Sequence, residues 1–123
     1  MPKTPLAQLQ REIDEALARR EAFKRAKIES AKVEQEMSAA EQALKFVTAA
    51  VAQRLGVPEH GPMALTSAAV RGTPEWQAAK VRVDNAFKRL RAFNAVFARE
   101  FAKELRTERA DRTRQREGRS GSR

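Results

Sequence analysis

Between Pro5 and Gly56 the chain contains neither glycine nor proline, so nothing in that stretch interrupts a helical backbone. Fifty residues at 1.5 Å rise make a rod of about 75 Å. A helix of that length persists in water only if it buries one face. Its apolar residues supply such a face: Leu6, Leu9, Ile13, Ala16 and Leu17, then Phe23, Ala26, Ser30, Val33, Met37, Ala40, Leu44, Val47 and Val51. From Phe23 onward the spacing is 3, 4, 3, 4, the heptad rhythm of a coiled-coil seam. Upstream, passing from the Leu6/Ile13 frame to the Phe23 frame needs a three-residue offset near Arg19 and Arg20. That stammer predicts a local overwinding or bend of the first helix.

A second helix follows from the same logic. Thr73-Pro74-Glu75 places a capping hydroxyl, a proline at the first helical position and an acid in the first turn. Trp76, Ala79, Val83, Ala86, Phe87, Leu90, Phe93, Asn94, Phe97, Phe101 and Leu105 then fall on one stripe about 120° wide. Between the helices, Gly56, Pro58, Gly61, Pro62 and Gly72 break the chain, with a short apolar helix or turn predicted over residues 63–70. Thr4-Pro5 repeats the capping signal at the start of the first helix.

The predicted fold is all-α, a long antiparallel coiled-coil-like helical hairpin with a short helical or turn segment between its arms and a disordered basic C-terminal tail. The hairpin body covers residues 1–105, with a helix over about 4–54, a break over 55–73 and a helix over about 74–112. The tail covers 106–123, helical at first and then disordered from Gly118. Setting Val51 against Trp76 brings Leu44 to Val83, Met37 to Leu90, Ser30 to Phe97 and Ala26 to Phe101, large residues against small. Leu6, Leu9, Ile13 and Leu17 then have no partner in their own chain, which predicts an oligomer or partner interface and a homodimer.

Composition agrees with helices and narrows the chemistry. Charged residues make up 33% and aromatics 6%, the balance of long amphipathic helices. With no cysteine there is no disulfide or thiolate site, which suits a reducing compartment. The longest uncharged run, residues 60–70, is too short to span a bilayer, so no membrane insertion and a cytoplasmic location are expected. His60 is the sole histidine and reads as a loop residue. The pairs Glu12/Glu15, Glu34/Glu41 and Glu100/Glu104 lack the Glu-x-x-His element of helical metal sites. No catalytic, cofactor-binding or metal-binding residues are predicted, and an enzyme is not expected.

The net charge of +9 is unevenly placed. Residues 106–123 hold seven arginines against three acids, +4 in eighteen residues. Arginine forks bind phosphate with two parallel hydrogen bonds. Arg106, Arg109, Arg112, Arg114, Arg116 and Arg119, with Lys88, Arg99 and Lys103 opposite the apolar stripe, are therefore the candidate nucleic-acid contacts. The sequence points to a helical accessory protein that self-associates and binds DNA or RNA without sequence preference. The alternative is a pure protein-interaction module, a scaffold, stalk or chaperone, whose charge serves only solubility. Phe87, Phe93, Phe97 and Phe101 read as core, and Asn94 as an edge residue reaching water.

Overall fold

A computed structural model describes residues 5–121 and the side chains of residues 5–118. The predicted cap Thr4, the basic residue Arg123 and the Arg119 side chain lie outside the described residues. The chain is all-α: α1 spans Pro5–Leu55, a 3-10 turn Pro62–Ala64, α2 Ala68–Arg71, α3 Pro74–Glu100 and α4 Ala102–Gly121. Among the described residues there is no strand, only an isolated bridge between His60 and Thr66.

Helix α1 ends where glycine permits a left-handed residue. Gly56 has φ 68°, its N–H donates to the Gln53 carbonyl at 3.2 Å, and the Val57 N–H reaches the Ala52 carbonyl at 3.0 Å. This paired closure is a Schellman motif, and Val57 packs beside Ala52 as that motif requires. The connection that follows is ordered. Gly61 donates to the Leu65 carbonyl at 2.7 Å and Ser67 to the Glu59 carbonyl at 2.9 Å. Val70, on α2, is fully buried, so the segment predicted as a short helix or turn is anchored by one side chain.

The described residues form two compact units, Ala31–Phe93 and the residues up to Ser30 together with those from Asn94 on. In the first, Val51, Ala52 and Val70 form one buried cluster, with Val47, Val57 and Trp76 against it. Ala40, Val83 and Ala86 form another, flanked by Met37 and Leu44. The small side chains of Ala40 and Ala86 let the helices approach closely. Val83 shares this cluster with Ala40 and Ala86, and Leu44, set opposite it in the expected register, packs against the same cluster. Helix α3 begins as its sequence dictates: the Trp76 N–H donates to the Thr73 hydroxyl at 3.4 Å. The Trp76 indole donates to Thr48 Oγ1 at 3.1 Å, and that hydroxyl donates to the Leu44 carbonyl at 2.7 Å. Arg54 pairs with Glu75 at 3.3 Å and Arg82 with Glu36 at 3.1 Å.

In the second unit, Phe23 stacks on Phe97, centroids 6.0 Å apart and planes within 8°, and lies 5.4 Å from Phe101. The expected register set Phe97 and Phe101 against Ser30 and Ala26; the ring contacts that both make are with Phe23. Ring-on-ring contact adds to what area burial gives, so the rings settle on Phe23. The expected single helix over about 74–112 is also replaced, since α3 and α4 are divided at Phe101. Helix α1 runs without interruption through Arg19 and Arg20, the place of the frame shift.

The Trp76–Thr48–Leu44 chain generates a stability prediction. Thr48→Val keeps the side-chain shape but leaves the indole N–H without its acceptor. We expect a loss of about 1–2 kcal/mol in urea denaturation, and recovery of part of that loss when Trp76→Phe is added.

Candidate functional site

The arrangement around Phe101 is built from side chains that local spacing does not pair. Arg19 sits four residues after Glu15, yet its guanidinium reaches the Glu104 carboxylate and the Glu100 carbonyl. It also lies over the Phe101 ring, 5.1 Å from the centroid. The i→i−4 bonds from Phe101 to Phe97 and from Leu105 to Phe101 persist at 2.9 Å. The interruption is thus a kink in which one carbonyl turns to a cationic side chain, a recognised cause of helix bending. Four residues on, Lys27 pairs with Glu108, and its ammonium lies 5.5 Å from the Phe23 centroid. Two acids of α4 are thereby fixed by two cations of α1.

The electrostatics follow the contacts. Hydrogen bonding from Arg19 holds the Glu104 carboxyl below the usual carboxylate range, and Glu104 in turn holds the guanidinium above its ordinary value. Hydrogen bonding from Arg54 likewise lowers Glu75. Beside the Arg19 and Lys27 pairs lies an open cleft of about 890 Å³, lined by residues including Phe23, Lys24, Lys103 and Thr107.

Helix α4 continues past Leu105 to Gly121, where the sequence predicts disorder from Gly118. Its Arg, Glu, Lys, Gln and Ala residues are good helix formers, and no glycine precedes Gly118. Local bonds add to this: Arg114 pairs with Asp111 at 2.6 Å, and Thr107 and Thr113 bond back to the carbonyls four residues earlier. The Glu108 contact with Lys27 also ties a residue beyond Leu105 to α1.

Arg106, Arg109, Arg112, Arg114 and Arg116 are all exposed on α4. At 100° per residue, Arg106, Arg109, Arg112 and Arg116 share an arc of about 120°. Glu104, Glu108, Asp111 and Glu117 all fall outside it. Arg119 belongs to α4 by its backbone. Lys103 is exposed at the start of α4, Arg99 is exposed near the end of α3, and Lys88 is exposed on α3 within the Ala31–Phe93 unit. The structure thus brings the arginines of α4 into one array with Arg99 and Lys103 in the same unit, and places Lys88 in the other.

Leu6, Leu9, Ile13 and Leu17 are 76%, 53%, 45% and 53% exposed, so the stripe is open to solvent along its length. Asn94 is exposed, as an edge position requires, and His60 is exposed in the connection. Among the described residues, no cluster of three or more His, Asp or Glu is placed to hold a metal ion. None of the described helices is long and apolar enough to cross a membrane. Compared with protein-family models, curated proteins and solved structures, the chain matches none.

Arg19, Phe23, Lys27 and Glu108 are absent from the sequence-derived site. The frame shift at Arg19 and Arg20 was the one signal near them, and it marks where α1 meets the kink. The lowered Glu104 carboxyl fixes a sign for pH. A carboxyl held down in the folded state stabilises it above the unfolded pKa, and that stabilisation is lost as pH falls through the lowered value. Glu104→Gln should therefore melt below the wild-type protein at pH 7. The difference should shrink as pH falls through the lowered carboxyl value and in high salt, as scanning calorimetry at several pH values would register.

Proposed function

We propose that this is a non-enzymatic, cytoplasmic helical accessory protein that self-associates and holds nucleic acid without sequence preference, as part of a nucleoprotein assembly. The observation that carries the reading is the exposed arginine array on α4. Its charge is displayed with almost no apolar residue to bury, a composition suited to phosphate and unsuited to a hydrophobic groove or a bilayer interface. Lys88, Arg99 and Lys103 add a helix face of the same sign.

We infer further that α1 and α3 pair as an antiparallel, coiled-coil-like hairpin. Partners along α3 rise in number as those along α1 fall: Glu75 with Arg54, Trp76 with Thr48, Val83 with Ala40. The heptad spacing from Phe23 to Val51 supports the same pairing.

One observation favours a second reading, a pure protein-interaction module. The Leu6–Leu9–Ile13–Leu17 stripe is exposed over about three turns of helix, and an apolar strip of that kind is the usual mark of an interface. In the leading reading the stripe serves the homodimer. In the second it grips a partner helix, and the arginines only solvate.

Protein isolated from cells at low salt should carry nucleic acid, raising its 260/280 nm absorbance ratio, and release it in high salt. Affinity for DNA or RNA should fall with salt by a log–log slope of roughly four to six. A clean protein with no such affinity supports the interaction module instead. Sedimentation tests the interface: the wild-type protein should associate at tens of micromolar, about the range of a weak interface. Leu9→Asp with Ile13→Asp should make it monomeric with little loss of helicity.

A further inference from the structure

Helix α4 has two properties that go beyond a basic charge. Every described residue from 109 to 118 is exposed, so this length of helix stands clear of its own protein on all sides. Within it the arginines keep intervals of three, three and four from Arg106 to Arg116, which sets four guanidinium groups along about 15 Å of one face. We propose that α4 binds double-stranded DNA by lying in the major groove, with Arg106, Arg109, Arg112 and Arg116 on the phosphates that border it. This deepens the nucleic-acid reading above and rests on it.

Three features of α4 select this ligand. A helix with its side chains is about 10–12 Å across, and the major groove of B-form DNA is about 12 Å wide. Entry into a groove requires a helix uncovered all round, which is what residues 109–118 provide. The major groove of duplex RNA is deep and too narrow for such entry. Single strands are held chiefly by aromatic side chains that stack on bases, and residues 102–121 contain no Phe, Tyr or Trp. Three of the acids of α4 are already engaged, Glu104 by Arg19, Glu108 by Lys27 and Asp111 by Arg114, and the fourth in this stretch, Glu117, falls outside the arginine arc. The arginine face carries no Asn, Gln, Asp or Glu to read base edges, so binding is by charge and shape.

Fluorescence anisotropy with three labelled probes of equal length and mixed sequence tests the inference: duplex DNA, single-stranded DNA and duplex RNA. The full chain should bind duplex DNA about tenfold or more tighter than either of the others at moderate salt. Replacing Arg109, Arg112 and Arg116 together by Gln, a comparable helix former, should cost about tenfold or more in DNA affinity. The salt slope should drop by about three, with circular dichroism unchanged. The corresponding Lys variant, which keeps the charge, should retain most of the affinity and guards against a loss of fold in the Gln variant. Equal or tighter binding of single strands or duplex RNA would overturn the assignment to duplex DNA while leaving the nucleic-acid reading intact. Undiminished DNA binding by the Gln variant would remove α4 from the contact. Failure to bind any of the three probes would overturn both.

Discussion

A guanidinium bonded to a main-chain carbonyl decides how the C-terminal helices are arranged. In a straight helix the Glu100 carbonyl would be satisfied within its own ladder; here Arg19 donates to it and, with the same group, to the Glu104 carboxylate. The Phe101 ring beneath the guanidinium completes the contact. Three favourable interactions thus converge on one residue where α3 ends at Glu100 and α4 starts at Ala102, and the i→i−4 bonds from Phe101 and Leu105 persist there. A lysine at position 19 would lack the planar fork that serves both oxygens at once. Four residues later on α4, Glu108 meets Lys27, a second cation of α1.

The buried core explains why such polar contacts matter. Among the described residues, only Ala40, Val51, Ala52, Val70, Val83 and Ala86 are buried apolar residues, and Val70 is the largest side chain fully removed from water. Burial on that scale gives a helical pair modest support, so helix propensity, caps and ion pairs carry a larger share than in a globular domain. Twelve large apolar residues remain substantially exposed, among them Leu6, Phe46, Met63 and Leu65. A surface of this kind is the physical ground for proposing self-association. Met63, 90% exposed, and Ala64 also hold positive φ without being glycine, a strain that the bonds from Gly61 and Ser67 on either side help to hold.

Much of this was legible in the sequence because it depends on local chemistry. The Gly/Pro punctuation sets the end of the first helix at about residue 54, beside the observed Leu55, Thr73-Pro74 marks the start of α3, and the apolar spacing marks Val51, Val83 and Ala86 as inward-facing. Leu6, Leu9, Ile13 and Leu17 are exposed along the stripe that they form. Other features were hidden for a common reason: periodicity assigns a residue to a face, and it does not say which residue meets it. Arg19 has a suitable acid at Glu15, and only the folded chain brings Glu104 nearer. The contacts of Phe23 with both Phe97 and Phe101 are of this kind: the spacing sets all three on inward faces without saying that they meet. The helicity of α4 was underestimated because absence of a buried face was taken to imply disorder, while Arg, Glu, Gln and Ala favour helix without one.

That last difference changes what the arginines are able to do. A disordered tail with seven arginines binds any polyanion, and it loses backbone entropy when it does so. Its guanidinium groups have no fixed spacing, so it cannot distinguish a duplex from a single strand by shape. The same arginines on a formed helix hold their intervals before the ligand arrives, and the ordering cost of binding is correspondingly smaller. Arg106, Arg109, Arg112 and Arg116 lie on one arc only if residues 106–116 are helical. Their value as a phosphate-spaced array is therefore a property of the helix, and of the Arg19 and Lys27 contacts that hold its first two turns against α1.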